Sequence, residues 1–99
     1  MWKSGQQACT VIRGLLRRVR LDHLWTDEGP SQEAVQLLKD KGGPMSTSET
    51  LMLQVAFDLW SSSGHAPLDK LLGVLDGGNL RAVLDAIAVV RPDVGRPVQ

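Results

Sequence analysis

The stretch STSETLMLQVAFDLWSSS, residues 46–63, decides how the chain folds. It opens with Ser46 and Glu49 at the spacing of a capping box. In that motif each side chain satisfies a backbone amide that the first helical turn leaves unbonded. Beyond the cap the segment is apolar almost all round: Leu51, Met52, Leu53, Val55, Ala56, Phe57, Leu59 and Trp60. The polar strip is narrow, essentially Thr50, Gln54, Asp58 and Ser61. A helix with apolar residues on every side is surrounded by other elements, so this segment is expected to be the hub of the core.

Upstream, Gly42-Gly43-Pro44 separates the hub from QEAVQLLKDK, a shorter helix. Ser31 can cap its start, acid comes early, and Lys39 and Lys41 come late, an order that complements the helix dipole. The glycines are available for the left-handed position just past its end. Further back, Gln6 to about Trp25 places Ala8, Val11, Ile12, Leu15, Leu16 and Val19 at helical spacing on one stripe. Arg13, Arg17 and Arg20 fall opposite, and Arg18 flanks them. Gly14, which costs about 1 kcal/mol relative to alanine within a helix, is expected to allow close approach by a neighbour. TDEGPS interrupts the pattern as a loop. No strand is expected anywhere in the chain.

Downstream, LDKLLGVLDGGNLRAVLDAI reads as helix, glycine turn, helix, an αα-hairpin spanning Leu68–Val90. Pro67 suits the first turn, where its missing amide costs nothing. A DNA-reading helix would need outward groups that contact base edges or phosphate. With Leu80, Val83, Leu84 and Ile87 assigned inward, only Asn79 and Arg81 qualify, while Asp76 and Asp85 oppose phosphate. Ala82, Ala86 and Val89 instead form a second, small-residue apolar strip. Either it is buried against the first helix of its own chain or it meets another molecule. Trp25 and Trp60 are candidate anchors of the same contact, since large aromatics dominate interface energetics; core packing is their other possible role.

The chain has 99 residues, 11 basic and 11 acidic, and one cysteine. That length suits a single domain over residues 1–99, with 1–5 and 92–99 expected to fray. The lone Cys9 excludes an internal disulfide and is expected to be a buried helix residue; the cytoplasm is the expected compartment. No apolar run is long enough for a membrane span. Charge is uneven: residues 1–20 carry Lys3, Arg13, Arg17, Arg18 and Arg20 and no acid, whereas from Met45 onward four bases face six acids. Met45 follows a linker and precedes a capping box, so an internal start is conceivable; an ordinary residue is preferred.

Chemistry-bearing patterns are sparse. Asp22-His23 and Asp27-Glu28 cluster, but His65 is distant and no metal-site spacing results. Gly77-Gly78 precedes a helix without a phosphate-loop lysine. No catalytic group, metal or cofactor is expected. The layout singles out no family. The sequence predicts an all-α, compact bundle of about five helices that acts as a non-enzymatic protein–protein interaction module, self-associating as a homodimer. Ala82, Ala86, Val89, Trp25 and Trp60 are its candidate contact residues. The alternative is an accessory nucleic-acid binder using Arg13, Arg17, Arg18 and Arg20 against phosphate.

Overall fold

A computed structural model describes residues 5–41, 43–61, 64 and 66–90, with the backbone alone at position 90. The ends expected to fray lie outside these residues, except Gly5, which opens the first helix. So do Gly42 and His65. In chain order the elements are helix α1 (Gly5–Arg17), a 3₁₀ turn (Asp22–Leu24), strands β1 (Trp25–Thr26) and β2 (Gly29–Pro30), and helices α2 (Gln32–Lys39), α3 (Thr47–Ser61), α4 (Leu68–Val74) and α5 (Gly77–Val90).

The all-round apolar segment is α3, and it is the hub. It packs against α1, α2 and α4. Leu51, Met52, Leu53, Val55, Ala56 and Phe57 are all buried along it. They join Ala8, Cys9, Ile12, Leu15 and Leu16 of α1 in one hydrophobic cluster. Truncating such a side chain to alanine typically costs about 2–5 kcal/mol, so this cluster is the chief source of stability. The capping box forms as its spacing implies: the Glu49 amide donates to Ser46 Oγ at 3.1 Å, and the Ser46 amide donates to Glu49 Oε1 at 2.9 Å. Ser31 caps α2, accepting from the Ala34 amide at 3.1 Å.

Three expectations are corrected. The first helix stops at Arg17 and does not reach Trp25. It ends in a Schellman motif: the Arg20 amide donates to Arg17 O at 3.1 Å and the Leu21 amide to Leu16 O at 3.0 Å, with Arg20 left-handed at φ 62°. Leu21 and Leu16 are both buried, as the hydrophobic contact of that motif requires. The second helix likewise turns left-handed at Lys41, φ 55°, one residue ahead of the expected glycine; Gly43 follows at φ 53°. And Gly14 is exposed, with open space around the place a methyl group would take, so it accommodates no neighbour.

The fold is mostly helical, but the absence of any sheet is also corrected. Strands β1 and β2 pair antiparallel in the register Trp25↔Pro30 and Thr26↔Gly29, joined by Asp27-Glu28. Two residues per arm are too few for alternation to register in a sequence. The turn is held by Thr26, whose hydroxyl donates to Gly29 O at 2.9 Å and accepts from the Glu28 amide at 3.1 Å. Gly29 has φ 123°, and a Cβ there would lie 2.8 Å from Trp60 Cζ2. Only glycine fits both the torsion and the space.

The segment Leu68–Val90 is two helices joined by Leu75-Asp76. They do not chiefly pack on each other: α4 lies on α3, and α5 lies on α1. Asp58 Oδ2 accepts from the Ala66 amide at 2.8 Å, fixing the approach to α4 from the end of α3. No described helix is long and apolar enough to cross a membrane.

Candidate functional site

Each of the last two helices carries two apolar stripes, and the core takes one of each. In α4, Leu71 and Leu75 are buried, while Leu68 and Leu72, four residues apart on another line, are 68% and 62% exposed. In α5, Asn79, Val83 and Ala86 are buried, whereas Leu84, expected inward, is 48% exposed. Of the other residues assigned inward, Val83 is buried and Leu80 and Ile87 pack half-buried against the core, so only Leu84 departs from the expected stripe. With Val74 and Val89, Leu68, Leu72 and Leu84 are the exposed large hydrophobics among the described residues, and every one lies on α4 or α5.

The expected contact strip therefore divides. Ala86 is buried, Ala82 packs half-buried against the core, and Val89 is exposed. Trp25 is buried in an aromatic cluster, edge-on to Phe57 at 5.3 Å and to Trp60 at 5.9 Å between ring centroids. Its indole N–H has no acceptor among the described residues, so the ring contributes by packing. Trp60 is half-buried beneath Gly29. Sequence reasoning missed Leu68 and Leu72; the signal was that LDKLLGVL holds two leucine lines and a short surface helix can bury only one.

Between α3, α4 and α5 runs an apolar groove of about 260 Å³. Val55, Leu59, Leu71, Val83 and Ile87 line it, and exposed Leu68 lines it too. Asp58 also lines it, and its carboxylate already accepts from the Ala66 amide. Of the exposed large hydrophobics, the groove thus takes in Leu68.

The four candidate arginines do not form one open face. Arg13 pairs with Asp27 across from the β-hairpin. Arg17 stands 3.7 Å from Asp22, an exposed pair of little energetic weight. Arg18 turns away to α5, where its Nε donates to Asn79 Oδ1 at 3.0 Å. Asn79 is itself buried; its amide nitrogen donates to Asp76 Oδ2 at 3.4 Å and its backbone N–H to Asp76 Oδ1 at 2.7 Å. Arg20, past the helix end, keeps a guanidinium without a partner among the described residues. Asn79, a candidate base reader from sequence, is instead the bracket between α1 and α5. Compared with known protein families, curated proteins and solved structures, the chain matches none of them.

Proposed function

We propose that this chain is a small helical interaction module that works by contact, pairing with a second copy of itself through α4 and α5. The observation that carries this reading is the confinement of the exposed large aliphatic side chains to those two helices. Exposed apolar side chains concentrated on one part of a fold, beyond what a core needs, favour a contact role. A second copy suits the face because projecting Leu68 and an apolar groove lie side by side on it. A two-fold axis can then seat this leucine of each molecule in the groove of the other, the self-complementary arrangement of an isologous interface. With equal numbers of acidic and basic residues, two copies approach without net repulsion.

Sedimentation at tens of micromolar tests it, with Leu72→Glu and Leu84→Glu as the probes. Both positions are exposed, so the variants should keep the native helical signal and sediment as monomers while the parent sediments as a dimer. A parent that is strictly monomeric overturns the reading, as does a dimer indifferent to both substitutions. Ala86 is unsuited to this purpose: a glutamate there would sit in the core and report on folding.

A further inference from the structure

We propose that the cleft between α2, α3 and α4 binds a small phosphorylated molecule with an aliphatic body. The cleft has a volume of about 600 Å³, within the range of small-molecule sites. Lys39 and Lys41 line it from the end of α2, and Lys70 lines it from α4. Thr47 and Gln54 of α3 add polar groups, and Leu38, Met45 and Leu51 add apolar wall. No carboxylate among the described residues lines it. Of the acids near these residues in sequence, Asp40 accepts from Gln36 at 3.1 Å and Glu49 closes the capping box, while Asp69, exposed beside Lys70, is not among the lining residues.

The other described basic side chains mark the contrast. Arg13, Arg17 and Arg81 each face an aspartate, Arg18 holds Asn79, and Arg20, unpaired among the described residues, lies past the end of α1 and outside the cleft lining. Lys39, Lys41 and Lys70 make no ion pair with a described residue, yet all three line one cavity. Lys41 further occupies a left-handed turn beside a glycine in the sequence, a placement that local propensity disfavours and that aligns with a role for its charge.

The residue types narrow the ligand. Three ammonium groups supply point charges, which suit the compact, multiply charged phosphate; the planar bidentate fork that favours carboxylates belongs to arginine, and none lines the cleft. A phosphomonoester carries roughly two negative charges at neutral pH. No aromatic side chain among the described residues lines the cavity, so these offer no stacking platform for a nucleobase, and the apolar wall suits an alkyl portion. This site uses none of the residues of the proposed dimer face except through their shared helix α4.

Amide NMR titration of the full chain with inorganic phosphate and with hexyl phosphate, at constant ionic strength, tests the proposal. Saturable shifts are expected at Thr47, Thr50, Gln54 and Lys70, with hexyl phosphate binding about tenfold tighter because its chain reaches the apolar wall. Lys39→Gln combined with Lys70→Gln should abolish saturation. Lys41→Gly is the sharper variant: it should bind several-fold more weakly while melting at a higher temperature, since it relieves the left-handed turn. Weakened binding in a more stable protein cannot come from unfolding. Absence of saturable shifts at millimolar hexyl phosphate overturns the proposal. So does an equal response to both probes, or binding that survives loss of the lysines.

Discussion

Gly14 and Gly29 make opposite demands on a methyl group. At Gly14 nothing lies within reach of a Cβ and the backbone is helical, so Gly14→Ala should raise stability by about 0.5–1 kcal/mol through the unfolded state. At Gly29 the same substitution meets a forbidden torsion and the indole of Trp60, and should cost about 2 kcal/mol or more. Chemical denaturation of the two variants side by side checks both signs. Arg20 is a third case. It holds the left-handed position of a Schellman motif that glycine prefers, so Arg20→Gly should stabilise by about 1 kcal/mol, less a few tenths for losing a cation at a helix C-terminus. A rise in melting temperature of a few degrees is the readout, and a fall would show that the guanidinium has a stabilising contact of its own.

At the scale of elements, starts were legible and ends were not. Ser31 and the Ser46/Glu49 pair announce α2 and α3 because capping depends on side chains within one turn of the boundary. Past the ends of α1 and α2 the chain turns left-handed at Arg20 and Lys41, neither of them glycine; glycines follow Lys41 in the sequence, but nothing of the kind marks Arg20, where the turn goes with the burial of Leu16 and Leu21. The β1–β2 hairpin is invisible for a related reason, being specified by one glycine torsion and one threonine hydroxyl. The capping box also sets a pH dependence. Hydrogen bonds from the Ser46 backbone and then its side chain hold the Glu49 carboxyl below the ordinary glutamate range. Its contribution is complete above the unfolded-state value, about 4.3, and is lost as pH falls through the lower folded value. Glu49→Gln should therefore flatten the acid limb of stability against pH, measured by denaturant midpoints from neutral pH to below about pH 4.

For the whole molecule, the decisive question was which stripe of α4 and α5 faces inward. For α4 the sequence offers both Leu68/Leu72 and Leu71/Leu75; for α5 it favours Leu80, Val83, Leu84 and Ile87 inward and leaves Ala82, Ala86 and Val89 as a second strip. The choice depends on where α1 and α3 stand, which is long-range information. The Arg18–Asn79 hydrogen bond, spanning 61 residues, helps settle it by bringing the start of α5 to the end of α1. Of the strip expected from the sequence only Val89 is exposed; the other exposed large side chain of α5, Leu84, was assigned inward. If the face of α4 and α5 closes a dimer, dissociation accompanies unfolding, and the thermal midpoint should climb with protein concentration in the parent and stay constant in Leu72→Glu.

Cys9 gives these energetics a built-in readout. It is the one sulfur nucleophile of the chain, buried on the inner side of α1 against the α3 hub. A thiol reagent can reach it only when α1 lifts or the whole domain opens. Under conditions where reclosing outruns labelling, the alkylation rate reports the population of that open form. The sulfur can thus time how often the first helix leaves its seat, without a single introduced residue.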